Sequence, residues 1–211
     1  MKTSSLNNVR DMYDTSADSY AKMMDSEIEF PVYKDVLGRL HENIANIKGI
    51  LLDTACGSGH MLAMFRSQYD ASRSLVGIDI SPRMVTVSKK RLGTEVSIEL
   101  GDMRALPGID SASVAAVINF FAVHHLDADG IRASMLEWNR VLVQKGRILV
   151  AAWEGSGAID YGKESDIIAF RYKRSELTEI AESSGFTVTR CTVEPVEDFP
   201  MDAIYLECKK E

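Results

Sequence analysis

Between Gly49 and Trp153 the chain carries five short apolar runs: Gly49–Thr54, Leu75–Asp79, Val96–Leu100, Val114–Phe120 and Arg147–Trp153. Helix-length or loop segments separate them. Within each run the apolar residues are nearly consecutive rather than alternating, as in strands covered by helices on both faces. Strands and helices in that order build a doubly wound, mostly parallel sheet. Two further strand candidates, Phe186–Val193 and Ala203–Cys208, finish the chain with only Glu194–Asp202 between them. So short a link cannot hold a crossover helix, and this last pair is expected to be antiparallel. The expectation is an α/β fold with seven strands and an antiparallel C-terminal edge hairpin.

The helices have their own punctuation. Met1–Arg10 is Ser/Asn-rich and reads as loose, followed over Asp11–Asp25 by a weakly amphipathic stretch suited to a short helix. Pro31 opens a clearer helix, with Val32, Val36, Leu40 and Ile44 recurring every four residues. Gly59–Tyr69 puts Met61, Phe65 and Tyr69 on one stripe, and Ser81-Pro82 reads as an N-cap followed by proline at the first helical position. Asp127 or Asp129 caps a helix with the face Ile131, Met135, Trp138 and Leu142, closed by Gly146. Ser175 starts another, with Leu177, Ile180 and Ala181 inward and Gly185 at its end. No repeat or linker interrupts the chain, so one domain is expected over 1–211, with residues 1–48 an N-terminal helical segment and 49–211 the core.

Charge and cysteine usage narrow the partners. With 24 Lys+Arg against 31 Asp+Glu the net charge is -7, the wrong sign for a hold on phosphate backbones. Lys89-Lys90-Arg91 reads as a solvated helix face. The 3 cysteines (Cys56, Cys191, Cys208) show no CxxC or Cys/His ligand spacing, so neither a disulfide framework nor a metal site is expected. No apolar run reaches roughly 18 residues, and Met1–Arg10 lacks an apolar signal core. The expected setting is cytoplasmic, without membrane or nucleic-acid partners, as monomer or homodimer.

In open parallel sheets ligands bind outside the carboxyl ends of the strands, where strand order reverses. The first strand-to-helix turn reads Leu52-Asp53-Thr54-Ala55-Cys56-Gly57-Ser58-Gly59-His60. Glycines at 57 and 59 permit a tight turn and let a ligand lie against the main chain. The next strand ends at Asp79, 20 residues after Gly59, where a carboxylate can accept from both ribose hydroxyls of an adenosine. Nicotinamide enzymes share these features, but the dinucleotide fingerprint wants a small residue where this chain has Leu62. The third strand ends Leu100-Gly101-Asp102-Met103, a second acidic tip placed to accept from an adenine amino group.

With these elements in order, the chain resembles the class I S-adenosylmethionine-dependent methyltransferases, especially the small-molecule branch around the ubiquinone-biosynthesis enzymes. The resemblance adds Val117–Leu126 and Asn139-Arg140-Val141-Leu142 with Lys145-Gly146. It implies a Rossmann-like domain, an N-terminal segment folded over the cofactor as a lid, and S-adenosylmethionine as cofactor, S-adenosylhomocysteine as product. It further implies that Asp53, Ala55, Gly57 and Gly59 line the methionyl part, that Asp79 holds the ribose, and that Ile80 and Met84 lie against the adenine. Asp102 and the Met103 N–H would meet the adenine edge, and Asn119 and Phe120 would lie near the sulfonium. Tyr20 joins the cofactor set through the lid. Ala55 stands where the family often has glycine, and Ala115 where many members carry an acid.

Methyl transfer from a sulfonium is an in-line displacement that asks mainly for alignment and dryness. An oxygen or nitrogen nucleophile on a small molecule is the expected acceptor. A base is needed only if the nucleophile arrives protonated; the candidates are His124 and His125, of which at most one is expected to face the cleft, with His125 preferred. On the substrate side stand Tyr13, Tyr20, His125, Trp153, Arg171 and Tyr172, with 154–173 as a substrate-side loop whose Gly155, Gly157 and Gly162 suggest mobility. Arg171 would select a small anionic or aromatic acceptor. The alternatives are a protein that binds the cofactor without turning it over and, less favoured, an NAD-dependent oxidoreductase. A nucleic-acid methyltransferase is disfavoured because Asn119-Phe120-Phe121-Ala122 lacks the prolines of the amino-methylating box, and an arsenite-type enzyme because the cysteines are scattered.

Overall fold

The computed structural model describes residues 3–161, 167–196 and 201–211. Helices α1 (Leu6–Glu27) and α2 (Pro31–Ile44) lead into β1 (Ile50–Asp53), α3 (His60–Gln68), β2 (Leu75–Asp79), α4 (Pro82–Leu92) and β3 (Ser97–Leu100). Then come β4 (Val114–Phe120), α5 (Ala128–Val141), β5 (Leu142–Trp153), α6 (Arg174–Ser183), β6 (Phe186–Pro195) and β7 (Asp202–Lys210). The strands form one sheet in the order β3-β2-β1-β4-β5-β7-β6. All pairings through β5 are parallel, and β7 runs antiparallel to both neighbours. The chain winds outward from β1 to β3 and then back across to β4, so strand order reverses between β1 and β4.

Two apolar layers sandwich the sheet, as the nearly continuous apolar runs require. Successive residues of each strand feed opposite faces: Leu52, Val117 and Ile148 pack toward α5 and α6, whereas Leu51, Ile118 and Leu149 pack toward α2 and α3. Trp138, Met135 and Ile131 of α5 are fully buried. The Ser81 hydroxyl accepts from the Met84 N–H at 3.0 Å and Pro82 takes the first helical position. Asp127, not Asp129, caps α5, accepting from the Gly130 N–H at 3.0 Å.

Three expectations fail in instructive ways. Leu6–Arg10 is helical, not loose, because Ser5 caps α1 and Leu6, Val9 and Tyr13 continue its apolar stripe inward. Helix α5 does not run to Gly146: it ends at Val141, and Leu142 passes directly into β5. The Lys145-Gly146 pair instead bends that strand, with Lys145 at φ 65°. Arg91 is not merely solvated; it donates to the Ser58 carbonyl (3.0 Å) and pairs with Asp25 (2.9 Å). The Glu194–Asp202 link lies partly outside the described residues.

Arg140 explains why the Asn-Arg-Val-Leu segment matters. Its guanidinium donates to the Leu106 and Ile109 carbonyls at 3.0 and 3.1 Å and pairs with Glu137 at 2.8 Å. Glu137 accepts in turn from the Leu106 N–H at 2.7 Å. The loop that follows β3, and carries Asp102 and Met103, is thus fastened to α5. Hydrogen bonds to a charged donor contribute about 1.5–3 kcal/mol each, reduced here because Arg140 is partly exposed. Arg140→Ala is expected to lower unfolding stability by about 2 kcal/mol in urea titration. It should also speed amide exchange at Leu106 while leaving amides of β1 and β4 protected.

Candidate functional site

The site is built where β1, β2 and β4 end, at the reversal of strand order. The turn after β1 is closed by main-chain bonds: Thr54 N–H to the Ile118 carbonyl (3.1 Å), Cys56 N–H to Ile78 (2.9 Å) and Gly59 N–H to Cys56 (2.8 Å). Asp79 at the tip of β2 accepts from the Gly57 N–H at 2.8 Å and from the Ser81 N–H at 2.9 Å. Asp53 at the tip of β1 accepts from the Ala55 N–H at 3.2 Å. Both carboxylates are buried, and neither forms an ion pair with a described residue. Burial pushes the Asp53 carboxyl up to about 7, against the pull of the Ala55 N–H and with a further push from Asp79. Burial raises Asp79 as well.

Two adjoining cavities open beside this turn. The smaller, about 60 Å³, is lined by Asp79, Ile80, Met84, Asp102 and Met103. The larger, about 420 Å³, takes in Asp53, His124 and Trp153. Ala55, Gly57, Phe120, Tyr13 and Tyr20 belong to both. Helix α1 roofs them, held by its acidic side: Asp14 accepts from the Ser81 hydroxyl (2.5 Å) and the Arg83 N–H (3.0 Å), and Asp18 pairs with Arg83 (2.6 Å). Asp25 meets His60 Nε2 at 2.8 Å and Arg91 at 2.9 Å. Asp102 is engaged by Arg104 in a two-point pair, the closer contact 2.7 Å.

The two histidines differ from the expectation of one inward ring. They lie on a 3-10 turn (Val123–His125), both buried, with ring centroids 4.1 Å apart. His125 lines the smaller cavity and His124 the larger. A hydrogen bond of 2.9 Å joins Tyr13 Oη and His125 Nε2. Burial lowers His125 to about 4 and holds His124 well below its ordinary value, so both rings are neutral near pH 7. Nδ1 of each is buried without a partner among the described residues. Phe121, at φ 50°, turns the chain from β4 into this segment and lines both cavities. A non-glycine residue held in the left-handed region stores strain of the kind found at ligand sites.

Four residues named from the sequence stand elsewhere. Gly59 caps α3 at φ 82° and lines neither cavity; a Cβ there would come within 2.6 Å of Ser88 Oγ, so its role is helix packing. Asn119 is fully buried and turns to Thr54 Oγ1 (3.1 Å) and Met103 Sδ (3.5 Å). Arg171 donates to the Ser156 carbonyl at 2.8 Å, away from both cavities. Tyr172 sits in the core with its hydroxyl on the Leu126 carbonyl. Gly162 lies outside the described residues. Sequence reasoning missed Glu27, Phe30 and Tyr33, which join the larger cavity where α1 turns into α2. The aromatic pair flanking Pro31 was the available signal. Among the described residues no group of three His, Cys, Asp or Glu is gathered as metal ligands, and no helix is long and apolar enough to cross a membrane.

Known proteins carry the same pattern. A family model described as a methyltransferase domain matches residues 51–146. The ubiquinone/menaquinone biosynthesis C-methyltransferase UbiE of Geobacter sp. (strain M21) is 33% identical over 110 residues, 50% of this chain and 46% of that protein. The chain thus spans about half the length of that relative. Among solved structures, the Burkholderia thailandensis 1,6-didemethyltoxoflavin-N1-methyltransferase, with 1,6-didemethyltoxoflavin and S-adenosylhomocysteine bound, superposes with a TM-score of 0.77. It covers 97% of this chain and 88% of its own at 17% identity. Magnesium protoporphyrin IX methyltransferase from Synechocystis PCC 6803, solved with S-adenosylmethionine, superposes with a TM-score of 0.71 at 16% identity, covering 96% and 95%. The two structures share the fold, and the sequence match to a methyltransferase domain runs from β1 into β5.

Proposed function

We propose that the protein transfers a methyl group from S-adenosylmethionine to an oxygen or nitrogen nucleophile on a small molecule held in the larger cavity. The observation that carries this reading is the pair of buried carboxylates, Asp53 and Asp79, facing the cavities with no cationic partner among the described residues. Buried charge of that kind wants a ligand bringing hydroxyl hydrogens and positive charge. A ribose and an ammonium supply both. A dinucleotide pyrophosphate would instead meet two carboxylates, and the Gly57 and Gly59 N–H groups it needs are already spent on Asp79 and Cys56.

In this reading Asp79 accepts from the ribose, Ile80, Met84 and Met103 flank the adenine, and Asp102 meets its edge beside Arg104. Asp53, Ala55, Gly57 and Tyr20 hold the methionyl end. Bound there, the cofactor supplies an activated methyl group. The chain's own work is to orient and to keep water out: Tyr13, Phe120 and Phe121 form the walls common to both cavities, and α1 is the lid. His124 is neutral and lines the larger cavity, so its imidazole is the group placed to take a proton from an acceptor. His125 positions Tyr13.

Two outcomes test this. Calorimetric titration with S-adenosylhomocysteine should give binding that Asp79→Ala weakens by roughly 100-fold, two charge-assisted hydrogen bonds being lost, with NAD not competing. Tighter binding of NAD would sink the reading. The pH dependence has a fixed sign. Asp53 is half-protonated near pH 7 before an ammonium arrives, and the ammonium favours the carboxylate. Binding therefore releases a proton below about 7 and is expected to tighten by up to about tenfold per pH unit as pH rises toward 7, then level off. Asp53→Asn should flatten that profile.

A further inference from the structure

We propose that the larger cavity takes a flat aromatic amine, neutral or protonated, and refuses acceptors bearing a carboxylate or phosphate. The inference rests on the proposed function for which cavity receives the acceptor, and deepens it. At about 420 Å³ the space suits a small fused-ring molecule. Its walls are aromatic from several directions. Phe121 and Trp153 lie 4.5 Å apart at a tilt, Tyr33 meets Phe120 edge-on at 5.9 Å, and Phe30 stacks on Tyr33 at 6.3 Å. Such faces attract flat rings and, through their quadrupoles, cations.

The charges around the cavity have one sign. Glu27, Asp53 and Asp160 line it, and no described lysine or arginine does. Glu27 stands close enough to Tyr20 and Tyr33 to act on both hydroxyls, and no described cation pairs with it. Burial holds its carboxyl above the ordinary value. Arg171, which the sequence offered as an anion receptor, donates to the Ser156 carbonyl and does not line this cavity. His124 adds a neutral imidazole to the lining. An anion entering here would meet three carboxylates and no described lysine or arginine; an amine would find carboxylate, imidazole and ring faces together.

The test uses the full chain saturated with S-adenosylhomocysteine and three probes on one bicycle: 1-naphthylmethylamine, 1-naphthylmethanol and 1-naphthoate, each titrated calorimetrically. The amine is expected to bind at least about tenfold tighter than the carboxylate, with the alcohol between. Glu27→Gln should collapse that ratio to about threefold or less while leaving S-adenosylhomocysteine affinity unchanged, and Glu27→Lys should invert it. The inference is overturned if naphthoate binds as well as the amine, if no probe binds, or if Glu27→Gln leaves the ratio alone. Failure of S-adenosylhomocysteine to bind in the first titration strikes the cofactor reading instead, and the same probe ranking without it still decides the character of the cavity.

Discussion

Everything about the site depends on one carboxylate accepting two main-chain hydrogens. Asp79 takes the Gly57 N–H with one oxygen and the Ser81 N–H with the other. It thereby fastens the turn after β1 to the start of α4 and sets the spacing of two strand tips. The Gly57 N–H comes free because the turn's other bonds go elsewhere, to Ile118, Ile78 and Cys56. The same residue faces the smaller cavity, so one side chain both shapes the turn and offers its remaining lone pairs to a ligand. Gly57 itself has Tyr20 across from it, at 3.5 Å from where a Cβ would stand, which is how α1 comes to close over the turn.

The electrostatics of the roof and of the floor differ in kind. Along α1, Asp14 and Asp25 are satisfied by Ser81, Arg83, His60 and Arg91, and these partners hold both carboxyls below their ordinary value. Facing the cavities, Asp53, Asp79 and, at the end of α1, Glu27 have no cationic partner among the described residues and are raised by burial. The fold has countered the acidic charge that holds the lid and left uncountered the acidic charge that faces the cavities. In the proposed reading, that asymmetry favours positive and hydroxyl-bearing ligands.

Much of this was legible from residue order because it follows from local rules. The five apolar runs, Ser81-Pro82, Asp127 and the short Glu194–Asp202 link each carry a mechanism that fixes an element or its direction. The acidic tips were legible for the same reason, since a strand's last residue must stand at the sheet's edge. What failed needed three dimensions. Gly59 looks like a ligand-facing glycine until α4 is packed against it, when Ser88 explains it. Asn119 alternates in sequence toward the site but turns inward to Thr54. Arg171 has a local carbonyl that takes it away from the cavity. Glu27 was invisible because only the turn between α1 and α2 brings it over the larger cavity.

The most direct measurement is a crystal structure of the protein with S-adenosylhomocysteine. The adenosyl half is expected in the smaller cavity, with the ribose on Asp79 and the adenine beside Met103. Because that cavity holds only about 60 Å³, too little for a purine nucleoside, Leu6, Val9 and Tyr13 of α1 should be displaced outward. The larger cavity beyond Phe121 should stay open. A ligand lying wholly in the larger cavity, with Asp79 uncontacted and α1 unmoved, would contradict it.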